Sequence, residues 1–215
     1  MARPVEDRLV MVSTEVSPEQ HADIGTDHAL LPLYLLSHRL CRFVIATEKS
    51  ASAFRVAKRA LWGRQAEVRQ GDGLGVLEPG EVQSVSICGL GGTLIADILS
   101  RGEERLPPRV VAQANRDSWK LRRWGLRNGF HLLREQLAEG HWLYEILTFQ
   151  KAPGPDPAYF DVPLDLALHF GPHLLKERHP LRERDLCARK EYLFSRPRRE
   201  DLQRVNSALN FWYSS

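Results

Sequence analysis

Residues 22–32 read Ala-Asp-Ile-Gly-Thr-Asp-His-Ala-Leu-Leu-Pro: a short apolar run ends in an acid, bends at Gly25 and re-enters a helical pattern through Asp27 and His28. That order dictates a strand, a tight turn and a helix. A turn of this kind points backbone N–H groups and one carboxylate at a ligand. A pyrophosphate would call for a second glycine where Asp27 stands; a carboxylate there repels phosphate and suits an ammonium or sulfonium group.

The same alternation continues along the chain. Apolar strand patterns fall at 22–24, 42–47, 67–70, 83–88, 109–114, 130–137 and 142–150. Helical patterns at 5–16, 29–38, 50–62, 93–99 and 118–128 fill the gaps, with Ser118 as N-cap and Gly129 as the C′ residue. Strands alternating with helices build a mostly parallel sheet with helices on both faces. The last two strand patterns are long and joined by only four residues, 138–141, so they form a hairpin and one of them runs antiparallel. The expectation is an α/β protein with a seven-stranded, mostly parallel sheet that ends in an antiparallel hairpin.

Three prolines within 151–157 mark a linker. Beyond it only helical patterns occur, at 164–170, 173–177, 181–194 and 199–213. The expected division is therefore a ligand-binding domain over 1–151 and a helical domain over 158–215. No apolar run approaches the roughly 18 residues needed to span a bilayer, and the first residues have no apolar signal core. Cys41, Cys88 and Cys187 share no metal-ligand spacing, so no metal is expected, and buried thiols in a reducing cytosol are. Trp62, Trp119, Trp124, Trp142 and Trp212 read as packing residues.

The chemistry gathers at the strand ends. Asp23 and Gly25 close the first strand, Glu48 the second, Asp72 the third (in Gly-Asp-Gly), and Gly89-Leu90-Gly91-Gly92 follows the fourth as a loop. Open sheets bind ligands at that edge. A carboxylate after the second strand can accept two hydrogen bonds from a ribose diol; one after the third can reach an exocyclic amine. The set suits a nucleoside without phosphate.

These residues resemble a class I S-adenosylmethionine-dependent methyltransferase with its Rossmann-like fold and, more narrowly, the bacterial TrmK family of tRNA (adenine-N1)-methyltransferases, which modify adenine 22. The resemblance is carried in order by 22–29, Leu31-Pro32, 71–74, 89–95, Asp97-Ile98-Leu99, Gln113-Ala114-Asn115, Asn128-Gly129-Phe130, Tyr144-Glu145-Ile146 and 170–177. It implies S-adenosyl-L-methionine as cofactor, with Asp23, Gly25 and Asp27 at its methionine end. Glu48 and the adjoining Lys49 would serve the ribose, Asp72 and Gly73 the adenine, and Gly89 and Gly91 the space under the transferred methyl. Asp27, His28 and Asn115 would border the target base as catalytic residues. The family has tyrosine where this chain has Leu30; Tyr34, four residues on, is placed to substitute. It has Gln-Pro-Asn where this chain has Gln113-Ala114-Asn115. The Asn/Asp-Pro-Pro-Tyr/Phe signature of exocyclic N6 chemistry is missing after the fourth strand, which favours ring N1.

The net charge is only +3, but it is clustered. Arg116, Lys120, Arg122, Arg123 and Arg127 share one helix, and 176–204 holds ten Lys/Arg against six Asp/Glu. Such surfaces attract RNA backbones without reading sequence, so the helical part is expected to grip tRNA. The expected protein is a cytoplasmic monomer or weak homodimer, away from membranes. The rival readings are a methyltransferase for another RNA position or a small molecule, and a non-catalytic RNA-binding protein with a degenerate cofactor fold.

Overall fold

The computed structural model describes residues 6–195 and 198–214. In chain order its elements are α1 (Asp7–Ser13), β1 (Gln20–Ile24), α2 (Leu30–Ser37), β2 (Phe43–Glu48), α3 (Ala51–Ala60), β3 (Ala66–Gln70), β4 (Ser84–Gly91) and α4 (Gly92–Arg101). There follow β5 (Arg109–Arg116), α5 (Ser118–Asn128), β6 (Phe130–Glu139), β7 (Leu143–Lys151), α6 (Leu164–Phe170), α7 (Pro172–Lys176), α8 (Pro180–Ser195) and α9 (Arg199–Ser214). The seven strands form one sheet in the order β3-β2-β1-β4-β5-β7-β6. Strands β1 to β5 are parallel, and β7 runs antiparallel to both its neighbours. The chain winds outward from β1 to β3, then restarts at β4 on the other side of β1. That reversal opens a crevice at the carboxyl ends of β1 and β4.

Adjacent residues on a strand feed opposite layers. Ile45, Val110 and Leu147 join the core under α4 and α5, while Val44, Val111 and Ile146 join the one under α1 and α2. A third core, built on Leu166, Phe170, Leu186, Val205, Leu209 and Trp212, holds the C-terminal helices together.

Several local expectations change. Strand β4 runs on, with a bulge, through Gly91, so 89–91 is strand, not loop, and α4 starts at Gly92. A Cβ on Gly92 would sit 2.2 Å from the Asp117 carbonyl oxygen, so glycine is needed for the two chain segments to approach. Helix α5 has the expected bounds, but its N-cap is Asp117, in a left-handed conformation, and Ser118 is the first helical residue. Trp62 and Trp142 do not pack inside; they are 82% and 65% exposed. Cys187 is exposed, and Cys41 is buried. Residue 5 of the first helical pattern and Arg196 of the basic cluster lie outside the described residues.

The 151–157 segment is largely exposed but anchored at Asp156. Buried Asp156 caps the turn Pro157–Tyr159, accepting from Ala158 N at 2.9 Å, and its other oxygen accepts from Leu132 N at 2.7 Å. His173 Nε2 meets the Leu132 carbonyl at 2.8 Å. Both backbone groups on the outer edge of β6 at Leu132 are thereby taken.

A buried ionic joint fixes the helical tail to the sheet. Arg122 of α5 donates from Nε to Glu135 at 2.6 Å, from Nη1 to the Leu168 carbonyl at 2.9 Å, and from Nη2 to Glu145. Arg182 of α8 donates to the other Glu145 oxygen and to Asp185, both at 2.7 Å. Burial alone would raise Glu145, but the two guanidiniums hold it well below the usual carboxylate range. The sequence assigned Arg122 and Arg182 to an RNA-facing surface; both are fully buried. Arg184, Arg189 and Arg204 also pair, with Glu139, Asp185 and Asp165.

Candidate functional site

A cavity of about 620 Å³ occupies the crevice where the winding reverses, a volume in the range of small-molecule sites. Asp23, Gly25, Asp27, His28, Glu48, Lys49, Asp72, Gly73 and Gly89 line it. The carboxyl ends of four strands, β1 to β4, therefore deliver most of the sequence-selected residues to one place. Gly91 and Asn115 are not in its wall; Asn115 stands behind Gly89, donating from Nδ2 to the Gly89 carbonyl at 2.6 Å.

The turn after β1 is under backbone tension. Gly25 has φ +73°, and Asp27 and Ala29 adopt left-handed φ values of 49° and 55°. For residues with a Cβ that conformation costs about 1–2 kcal/mol each. Glu48 holds the turn in place: its Oε2 accepts from Asp27 N and its Oε1 from Ser50 N, both at 3.1 Å. His28 Nδ1 lies 2.7 Å from Asp27 Oδ2, and both side chains are exposed to the cavity mouth.

Asp23 differs from its neighbours in being buried. Desolvation raises its pKa, and the Ser86 hydroxyl, donating at 2.7 Å, works against that rise. Asp72 lies at the surface, where Lys49 at 3.1 Å and Arg101 at 3.3 Å keep its pKa low. The cavity is thus less acidic than its strand-end carboxylates suggest, because Lys49 beside Glu48, and Arg8 and Arg101 from elsewhere in the chain, also line it.

Local sequence carries no sign of Arg8 and assigns no role to Gln113. Arg8 Nη1 donates to Gln113 Oε1 at 2.6 Å, an oxygen that also accepts from Gly89 N at 3.2 Å; Gln113 Nε2 donates to Asn115 Oδ1 at 3.2 Å. The Gln-Ala-Asn run carried half the signal for this clamp on Gly89, but Arg8 lies 105 residues away with no local motif. Tyr34 does not replace the family tyrosine. It stacks on His38 at 4.0 Å, and the cavity wall there is Leu30 and Leu31.

A second cleft of about 380 Å³ lies between the end of β5 and the helical tail. Asn115, Arg116, Trp119, Arg189 and Tyr192 line it. Among the described residues no group of His, Cys, Asp and Glu could hold a metal ion, and no helix is long and apolar enough to cross a membrane.

Known proteins share this fold. The profile of the TrmK family, tRNA (adenine(22)-N(1))-methyltransferase, matches residues 21–197. The tRNA (adenine(22)-N(1))-methyltransferase of Bacillus subtilis (strain 168) is 36% identical over 165 residues, 74% of this chain and 69% of that protein. The crystal structure of the B. subtilis m1A22 tRNA methyltransferase TrmK superposes with a TM-score of 0.84 at 28% identity, covering 98% of both chains. A Streptococcus pneumoniae protein, solved in complex with S-adenosyl-L-methionine, superposes at 0.83 with 26% identity over 96% of this chain and all of the other. Sequence and fold together establish that the chain belongs to the TrmK family of tRNA (adenine(22)-N(1))-methyltransferases.

Proposed function

We propose that this protein methylates N1 of adenine 22 in tRNA, using S-adenosyl-L-methionine. The observation that carries the reading is the convergence of Asp23, Asp27, Glu48 and Asp72 on one crevice-side cavity. Their chemistry fits the cofactor: buried Asp23 and exposed Asp27 suit an ammonium-bearing end, and Glu48 and Asp72 suit a nucleoside. Thr47 Oγ1, buried in the same wall, has no hydrogen-bond partner and supplies a spare polar atom. The bound cofactor supplies an electrophilic methyl on a sulfonium.

Adenine N1 carries a free lone pair at neutral pH, so no residue needs to remove a proton before transfer. The work of the site is positioning, with reacting atoms brought to about 3–3.5 Å. The Gln113–Asn115 clamp on both backbone groups of Gly89 keeps that segment of wall rigid. Asp27 and His28 orient the base at the mouth and favour the positive charge of its product. N1 lies on the Watson–Crick edge, so the base enters unpaired or flipped.

In this reading the RNA crosses the second cleft. Arg116 lines that cleft and is exposed, and Lys190, Arg198 and Arg199 are exposed on the tail. These residues, rather than the buried arginines, meet the phosphates. The division into a catalytic part, 1–151, and an RNA-gripping part, 158–215, is then functional, and the enzyme works in the cytoplasm as a monomer or weak homodimer.

Mass spectrometry of tRNA from a deletion strain tests the proposal. Loss of 1-methyladenosine at position 22, restored by the gene, is the expected result. Unchanged modification in a tRNA with adenine at that site would overturn it.

A further inference from the structure

One buried titratable group has no part in the chemistry described so far. His21 lies on β1, two residues before Asp23, and is fully buried. Its Nδ1 is 2.8 Å from Ser84 Oγ and its Nε2 is 2.8 Å from Ser86 Oγ, both on the neighbouring strand β4. Ser86 Oγ donates in turn to Asp23 Oδ1 at 2.7 Å, and Ser84 Oγ accepts from Ser17 N at 2.7 Å. The register explains the alignment: His21 pairs with Ser84 and Asp23 with Ser86, so the alternating side chains fall on one face of the sheet.

The directions of these bonds follow from their ends. Ser84 accepts from the Ser17 amide, which frees its own hydrogen for His21 Nδ1. An ionised Asp23 can only accept, so Ser86 must give it the hydroxyl hydrogen. Ser86 then has only lone pairs for His21, and Nε2 must carry the imidazole hydrogen. A neutral imidazole satisfies this pattern, and burial lowers the His21 pKa to about 3. Every hydrogen from Ser17 to Asp23 points the same way.

We infer that His21 is a positioning residue for cofactor binding, which fixes the Ser86 hydroxyl as a donor to Asp23 and so keeps that buried carboxylate ionised and aimed at the cofactor's ammonium group. The inference rests on the proposed role of Asp23. The other groups facing Asp23 leave Ser86 as a needed donor: Glu48 at the end of β2 opposes ionisation, Thr26 favours it, and Cys88 on β4 lies near both Asp23 and Arg8 of α1.

Calorimetric titration of the full chain with S-adenosylmethionine, from pH 5.5 to 8, tests this. His21→Leu and Ser86→Ala each weaken binding about tenfold at neutral pH. Both move the loss of affinity on acidification to higher pH, because Asp23 then holds its proton more tightly. The cofactor's own ionisations are common to all variants and cancel in the comparison. The double variant binds no worse than the weaker single, since one relay is broken once. His21→Gln restores much of the loss, because its amide offers the same acceptor and donor. Ser86→Ala is the smaller change and decides the matter if His21→Leu does not fold. Wild-type affinity in Ser86→Ala, or additive losses in the double variant, overturns the inference while Asp23→Asn still weakens binding. Unchanged affinity in Asp23→Asn overturns the cofactor-site reading itself.

Discussion

The cavity mouth and the buried joint use the same side chains for opposite ends. In the joint, Arg122 and Arg182 find Glu135, Glu145, Asp185 and a carbonyl, leaving the charges spent on the fold. At the cavity, Asp23 is buried without a cation and Asp27 is held in a left-handed backbone conformation. Burial of the one and the strained backbone of the other cost the apoprotein stability, and under the proposed function it is the cofactor that gives both a partner. The contrast teaches that the charge count of a segment does not say whom the charges serve. Partners decide it, and here the arginine-rich helices α5 and α8 each put one arginine, Arg122 and Arg182, inside.

The comparison is broken most violently at Glu145. Glu145→Gln leaves two buried guanidiniums facing a neutral amide, and a loss of about 3–5 kcal/mol is expected in urea unfolding. A variant that unfolds at the wild-type urea midpoint would show the joint to be dispensable.

Asp23→Asn gives the opposite signature. Affinity for S-adenosylmethionine drops by about 1.5–3 kcal/mol, roughly tenfold to a hundredfold, as for a lost charged hydrogen bond. The thermal midpoint of the apoprotein rises, because an unpaired buried carboxylate has been removed. A falling midpoint with unchanged affinity would place Asp23 among the structural charges.

Acid titration sharpens the contrast. The Glu145 pKa is depressed in the folded state, so its stabilisation is complete above the ordinary value of 4.5 and drains away as the pH falls below it. The expected slope is about 1.4 kcal/mol per pH unit for one proton. Asp23, with a raised pKa, contributes in the reverse sense: protonation relieves its burial. Urea midpoints measured against pH in wild type and Glu145→Gln separate the two, since the variant loses the acid limb that belongs to Glu145.

The smallest effect lies at the second cleft. Arg116→Ala leaves stability and cofactor affinity unchanged, weakens tRNA binding, and lowers the salt slope by about 0.7–0.9. An unchanged slope would remove Arg116 from the phosphate contacts. Cutting the chain after Lys151 is no substitute, because it takes Arg182 from Glu145 along with the tail.

Local spacing carried what was legible in the sequence. The strand–turn–helix around Gly25, the bounds of α5 and the strand-end acids all depend on residues within one turn or strand of each other. The joint depends on pairings across 13, 23 and 37 residues, and the Gly89 clamp on one across 105. Nothing in the neighbourhood of Arg122 distinguishes it from Arg123, whose guanidinium lies over the Trp119 ring 4.6 Å from its centroid. The extension of β4 through Gly91 was hidden for a related reason. Glycines punctuate loops in general, and only pairing with Ala114 and Arg116 on β5 turns these into strand. The His21 relay could have been suspected from His-Ala-Asp beside Ser-Val-Ser, had the register of β1 against β4 been known.

The two taken backbone groups of Leu132 have a consequence for the protein in a crowded cell. An open strand edge is a template for a neighbouring chain, and sheets that leave one bare invite edge-to-edge aggregation. At β6 the linker carboxylate and the tail imidazole occupy that template at one position, Leu132. The stretch that joins the two halves of the chain thereby closes one rung of the edge to a second copy, and Asp156→Ala or His173→Ala is expected to add turbidity that grows with protein concentration.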